Sequence, residues 1–113
     1  MKPRAVTVRE LDALARKAVF ERDGHACARC GATERLQWCH VYSRRYHSMR
    51  WEMDNSFVGC AGCHLRWHHR PLEAVEWYRG KYPERFARLL LRAGTPSKVD
   101  REAVKLYLTG GAR

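Results

Sequence analysis

The sequence CARC at residues 27–30 and the sequence CAGC at residues 60–63 decide the fold of this chain. A C-x-x-C turn brings two thiolates to one side of a tight loop, and two such turns complete a tetrahedral four-sulfur set that suits Zn²⁺. The stretch between them, residues 31–59, is longer than the roughly 15–20 residues of the commonest paired zinc patterns. We therefore predict a structural zinc site that clips both ends of a separate substructure.

The chain has 113 residues and five cysteines. An odd count argues against a framework made only of disulfides and favours four zinc thiolates with one cysteine to spare. A chain of this length is expected to form one domain, residues 1–113, whose modest core a zinc site would help to stabilise. The predicted zinc ligands are Cys27, Cys30, Cys60 and Cys63, and the spare cysteine is Cys39.

The composition is strongly basic, with a formal net charge of +10 from 22 Lys and Arg against 12 Asp and Glu. Arginine predominates, and it binds phosphate groups bidentately. Nucleic acid is therefore the expected partner, the alternative being a basic surface that serves only solubility. No segment reaches the roughly 18 apolar residues of a membrane span, and the N-terminus does not resemble a signal peptide. These features predict a cytoplasmic protein with no membrane partner.

Helical segments are predicted on both sides of the cysteine turns. Apolar residues repeat at helical spacing over residues 7–22, with Thr7 as the N-cap and Gly24 after the last turn. Pro71 suits the first turn of another helix, and helices are expected over about residues 71–109. These C-terminal helices are interpreted as packing elements.

The segment between the cysteine turns is predicted to form an antiparallel hairpin. Residues 36–41 and 55–59 have the length and apolar content of strands, and residues 65–69 continue from the second turn as a helix. Residues 42–54 mix arginines with aromatic residues and are expected to face a nucleic acid, the alternative being a solvated loop with a few packed aromatics. The fold class is α+β, with a core over about residues 24–70.

Two histidines after the second cysteine turn predict a second metal site. His64 and His68 are four residues apart, so they share a helix face and could jointly offer imidazole nitrogens to an ion. His40 lies in the first predicted strand, and Asn55 begins the second.

An ordered set of these residues resembles the HNH endonucleases, in particular the small bacteriophage-encoded members with a four-cysteine zinc site. The resemblance covers about residues 15–80. It implies a ββα-metal core with flanking helices, and metal-dependent hydrolysis of DNA phosphodiester bonds by nicking or double-strand cleavage. The set runs through RDG at residues 22–24, CARCG at 27–31, His40, Asn55, CAGCH at 60–64 and His68.

The resemblance also implies a role for each residue. His40 would be the general base, Asn55 would fix the loop that holds it, and His64 and His68 would bind one catalytic divalent ion, Mn²⁺, Mg²⁺, Ni²⁺, Co²⁺ or Zn²⁺. His64 is counted with the catalytic residues for this reason. The alternatives are a core histidine for His40, a turn residue for Asn55, an alternative zinc ligand or supporting residue for His64, and a solvated residue for His68.

Position 39 departs from the family pattern. Family members usually place Asp or His there as a further ligand of the catalytic ion, whereas this chain has Cys39. A thiolate suits Mg²⁺ poorly and Mn²⁺, Co²⁺, Ni²⁺ or Zn²⁺ better. Because neighbouring strand residues point to opposite faces, Cys39 could join His40 only if the strand bends. The alternative is a small buried side chain.

The expected nucleic-acid contacts are Arg44 and Arg45, which follow His40, with Arg66 and Arg70 as weaker candidates. The expected partner is double-stranded DNA, bound by a monomer in the host cytoplasm if a phage encodes the chain, with a packaging or terminase protein as a further partner. The alternative function is a non-catalytic zinc-braced DNA-binding module accessory to phage DNA processing. RNA as the substrate is a weaker alternative.

Overall fold

The structure is a computed structural model that describes residues 4–95 and 97–110. The predicted α+β class is confirmed by five helices and a two-stranded antiparallel sheet in this part of the chain. The N-terminal residues 1–3, to which the signal-peptide argument applies, lie outside it. In chain order the elements are α1 (Val8–Asp23), β1 (Leu36–His40), β2 (Ser56–Cys60), α2 (Ala61–His69), α3 (Pro71–Lys81), α4 (Pro83–Ala93) and α5 (Arg101–Thr109).

Helix α1 begins and ends where its capping residues predict. Oγ1 of Thr7 accepts a hydrogen bond from the backbone N–H of Glu10 at 3.1 Å, which satisfies a free donor of the first turn. Gly24 ends the helix with a φ of 85°, and its N–H donates to the carbonyl of Phe20 at 2.8 Å. The left-handed conformation explains why glycine suits this position.

The two strands form one hairpin whose faces belong to two different cores. Side chains alternate along a strand, and the register pairs Trp38 with Val58 and Cys39 with Phe57. The face that carries Val58 packs on α1 and α5, around Leu11. The face that carries Cys39 packs on α2, α3 and α4, in a cluster with Phe57, Trp67, Tyr78 and Leu89.

Helix α2 begins earlier than the sequence predicts. It starts at Ala61 rather than at Leu65, so the second cysteine turn is the first turn of the helix. The cause is Cys60, which acts as the N-cap, since its Sγ accepts a hydrogen bond from the N–H of Cys63 at 3.4 Å. Sequence rules that recognise only oxygen-bearing caps do not anticipate a thiol in this role.

The loop between the strands is exposed in its first part and packed in its second part. Its first part, residues 43–47, is exposed, whereas Met49, Trp51 and Met53 are buried in the two cores. Two short 3₁₀ turns, His47–Met49 and Met53–Asn55, shape the buried part. Only the first part of the loop is therefore open to a partner.

Charged side chains tie the loop to the helices. Arg22 of α1 donates to the carbonyls of Met53 and Ser56, both at 2.7 Å. The same arginine pairs with Asp23, which also pairs with Arg85 of α4 at 2.9 Å. The RDG sequence at residues 22–24 thus fixes the start of β2. No helix in the described part of the chain is long and apolar enough to cross a bilayer.

A substitution at Gly59 tests how closely the hairpin packs against α2. A Cβ at this position would lie 2.7 Å from Cζ3 of Trp67 and 2.9 Å from Sγ of Cys39. We expect Gly59→Ala to lower the free energy of unfolding by about 1–3 kcal/mol because of overpacking. Gly80→Ala is the control, since open space surrounds Gly80 in α3 and helix propensity predicts about 0.5–1 kcal/mol of stabilisation. Denaturant unfolding of both zinc-loaded variants measures this, and equal stability of the two would contradict the packing.

Candidate metal centres and active site

Four cysteine sulfurs from the two cysteine turns lie together. The Sγ atoms of Cys27, Cys30, Cys60 and Cys63 are all within 4.8 Å of one another, and those of Cys30 and Cys60 are 3.7 Å apart. Tetrahedral Zn–S bonds of about 2.3 Å place sulfurs roughly 3.8 Å apart. The cluster could therefore hold a structural metal such as Zn²⁺, as the sequence predicts.

Backbone hydrogen bonds hold the first cysteine turn against the hairpin. The N–H of Gly31 donates to the carbonyl of Cys27 at 2.9 Å, and Gly31 has a φ of 78°, which glycine adopts without steric cost. The N–H of Ala28 donates to the carbonyl of Val58 at 2.9 Å. The turn is thus fixed to β2, whose last residue is Cys60.

The electrostatics of the cluster favour a bound cation. Burial alone would raise the pKa of Cys27, but the N–H groups of Cys30, Cys60 and Arg29 bond to its sulfur and lower the pKa to about 6. Burial and the neighbouring thiols raise the pKa of Cys63 to about 12, although Arg29 donates to its sulfur at 3.5 Å. A divalent cation compensates the negative charge of several adjacent thiolates, which is the form that binds zinc.

His40 lies at the end of β1 in one defined orientation. Its Nε2 is 3.1 Å from the backbone carbonyl of Arg50. A carbonyl only accepts, so Nε2 carries the proton and Nδ1 carries the lone pair. Burial lowers the pKa of His40 to about 4, and the positive charges of Arg44 and Arg50 act in the same direction. The imidazole is therefore neutral at neutral pH and able to accept a proton at Nδ1.

Asn55 is fully buried and closes the loop that follows His40. Its Oδ1 accepts from the N–H of Tyr42 at 2.7 Å, and its Nδ2 donates to the carbonyls of Tyr42 and Met49 at 3.1 and 2.9 Å. Its backbone carbonyl accepts from the N–H of Val41 at 3.0 Å. These bonds go to the loop backbone and not to the imidazole of His40.

His64 and His68 lie side by side on α2, with ring centroids 4.8 Å apart. Nδ1 of His64 bonds to Oε1 of Gln37 on β1. Because an amide oxygen accepts, Nδ1 carries the proton and Nε2 of His64 is left with a lone pair that could bind a metal. Burial lowers the pKa of His64, and the charges of His68 and Arg44 act in the same direction.

Cys39 occupies the interior of the second core. Its Sγ is 3.6 Å from the carbonyl oxygen of Gln37. A Cβ at position 59 would collide with this sulfur and with the ring of Trp67. Burial raises the pKa of Cys39 to about 12, so the group remains a thiol. Among the described residues, Cys39 does not form a group of three potential metal ligands with His64 and His68.

A cavity of about 420 Å³ lies between β1, the start of the loop, α2 and α3. Five of the predicted site residues are among those that line it: Cys39, His40, Arg44, His64 and His68. Two further cavities, one beside α5 and one between α1 and α4, contain none of the predicted site residues. Asn55 does not line this cavity. Its hydrogen bonds hold the loop that follows His40.

The four predicted nucleic-acid-binding arginines fall into two pairs. Arg44 and Arg45 are exposed, and no carboxylate in the described part of the chain pairs with either. Arg66 pairs with Glu73 at 2.8 Å, and Arg70 pairs with the same carboxylate at 3.5 Å. The charge of the second pair is partly compensated, so Arg44 and Arg45 are better placed to bind phosphate.

Sequence reasoning missed two residues that hold the site. Gln37 could have been found, because strand alternation places it on the same face as Cys39, towards α2. Asp12 of α1 contacts Arg50 and Trp51, 38 and 39 residues further along the chain. No local pattern indicates such a distant pairing.

Comparisons of the chain with family models, with curated proteins and with solved structures found no match.

The geometry of the cysteine cluster predicts that Cys27 is needed to bind zinc and that Cys39 is not. We expect the purified protein to contain about one Zn²⁺ per chain, and Cys27→Ser to lose both the metal and cooperative unfolding. Cys39→Ala should keep the zinc, because its sulfur lies outside the four-sulfur set. Elemental analysis and thermal unfolding measure both properties. Loss of zinc from Cys39→Ala, or its retention by Cys27→Ser, would show that the ligand set is different.

Proposed function

We propose that this protein is a metal-dependent endonuclease of the HNH type, which hydrolyses phosphodiester bonds in DNA with His40 as the general base. One observation carries the proposal. His40 donates from Nε2 to the carbonyl of Arg50 and lines a cavity that His64 and His68 also line. A protein that only binds DNA has no need for an oriented base beside two potential metal ligands.

General-base catalysis requires an unprotonated imidazole. Hydrolysis of a phosphodiester needs an activated water, in-line attack and stabilisation of the charge that develops on the phosphorus and the leaving oxygen. Nδ1 of His40 holds a lone pair, and the low pKa of His40 keeps the ring neutral at neutral pH. His40 would take the proton of the attacking water at Nδ1 while the carbonyl of Arg50 holds the ring.

His64 and His68 would hold the catalytic ion. Their adjacent imidazoles fit Mn²⁺, Co²⁺, Ni²⁺ or Zn²⁺ better than Mg²⁺, which prefers oxygen ligands. A divalent ion bound there would supply stabilisation of negative charge at the scissile phosphate. Gln37 would keep Nε2 of His64 facing that ion through the hydrogen bond to Nδ1. The position of Cys39 favours a packing role over ligation.

The hairpin and α2 would form the ββα-metal core, with zinc at its base. The four cysteines join the turn before β1 to the first turn of α2. Arg44 and Arg45 would grip phosphates beside the scissile bond, because they are exposed and next to the cavity. Phosphate contacts of this kind give affinity without sequence readout.

The direct test is cleavage of a supercoiled plasmid with each divalent ion and with EDTA. We expect metal-dependent conversion to open-circle or linear DNA, and a loss of about 100-fold or more in His40→Ala, since a general base contributes on that order. The control is His69→Ala, because His69 is exposed on the same helix and has no role in the site. Retained DNA binding without cleavage under any metal would favour the zinc-braced DNA-binding module instead.

The two arginine pairs predict different salt dependences of DNA binding. We expect Arg44→Ala to weaken binding and to reduce the slope of log K against log salt by about 1, the contribution of one phosphate contact. Arg66→Ala should change the slope less, because Glu73 already compensates its charge. Fluorescence anisotropy with a short duplex at several salt concentrations measures both slopes. A larger effect of Arg66→Ala would place the DNA on α2 rather than on the loop.

A further inference from the structure

Asp12 on α1 holds the segment that carries the hydrogen-bond partner of His40. Its Oδ1 accepts from Nε of Arg50 at 2.9 Å and from Nε1 of Trp51 at 2.9 Å, and its Oδ2 accepts from Nη2 of Arg50 at 2.6 Å. The two donors are consecutive residues, so one carboxylate fixes the side chains on both sides of one peptide group. That peptide group contains the carbonyl of Arg50.

The segment is held from its other side by Asn55. Nδ2 of Asn55 donates to the carbonyl of Met49 at 2.9 Å, one residue before Arg50. The carbonyls of Met49 and Arg50 therefore have separate partners, Asn55 and His40. A carboxylate on a different helix and an amide within the loop together define where the carbonyl of Arg50 points.

We propose that Asp12 is a positioning residue for His40, acting through the carbonyl of Arg50 to keep the proton on Nε2 and the lone pair on Nδ1. The cleavage part of this inference rests on the proposed nuclease function, whereas the tautomer part does not. Without Asp12, the side chains of Arg50 and Trp51 lose their shared acceptor and the carbonyl is free to turn. His40 would then lose the partner that selects its tautomer.

Asp54 provides a matched comparison. It also accepts a two-point hydrogen bond from an arginine, Arg88, with both distances at 2.9 Å, and its side chain is about as accessible as that of Asp12, at 18% against 24%. Its carboxylate lies in the same loop but does not contact Arg50 or Trp51. Loss of a bidentate ion pair is therefore common to Asp12→Ala and Asp54→Ala, whereas only Asp12→Ala removes the acceptor that Arg50 and Trp51 share.

The experiment combines cleavage kinetics with the ¹⁵N chemical shifts of the His40 ring. For Asp12→Ala we expect kcat for plasmid nicking to fall about 10- to 100-fold with little change in KM, as for other displaced catalytic groups. We also expect the Nε2–H tautomer of the wild-type protein to give way to a mixture of both tautomers. Asp54→Ala should keep both the rate and the tautomer. Trp51→Phe, which removes one donor and keeps a ring in the core, should give an intermediate effect.

The outcomes separate this inference from the proposed function. A wild-type tautomer in folded, zinc-loaded Asp12→Ala would overturn the positioning role, whatever the cleavage rate. A mixed tautomer in Asp12→Ala and in Trp51→Phe would support it even if the wild-type protein cleaves no DNA. If Asp12→Ala does not fold, Trp51→Phe decides, and an unchanged tautomer and rate in that variant would overturn the inference.

Discussion

The proximity of four cysteine sulfurs is the constraint on which the remaining structure depends. Cys60 has three roles at once, since it is the last residue of β2, a member of the sulfur cluster and the N-cap of α2. Its position therefore sets both the start and the rotational phase of α2. Because His64 and His68 follow on that helix at fixed spacing, the cluster determines which face of the sheet they meet. A metal at the cluster would thus organise the histidines without contacting them.

Arginine has two separate uses in this chain. Inside the fold, Arg22 and Arg50 bond to backbone carbonyls or to the few carboxylates, and they hold the loop to α1. At the surface, Arg44 and Arg45 have no carboxylate partner among the described residues. With 22 basic and 12 acidic side chains, many arginines cannot be paired internally. The net positive charge that remains is available to a polyanion.

The elements that depend on local signals could be predicted from the sequence. Thr7 and Gly24 bound α1 as predicted, because caps and left-handed glycines act within a few residues. The start of α2 could not be predicted, because a cysteine thiol replaces the usual capping oxygen. The burial of Trp51 and Met53 depends on contacts with α1 far away in sequence, so no local pattern shows which residues of the loop pack. The contact of Asp12 with the site has the same long-range origin.

We propose that His40, His64 and His68 form a single phosphodiester-cleaving site. A crystal structure of the protein with a short DNA duplex and Mn²⁺, with the ion located by its anomalous scattering, tests it most directly. We expect Mn²⁺ bound by His64 and His68 next to a backbone phosphate, with Nδ1 of His40 facing that phosphorus across the cavity. DNA bound away from this cavity, or Mn²⁺ without either histidine as a ligand, would contradict it.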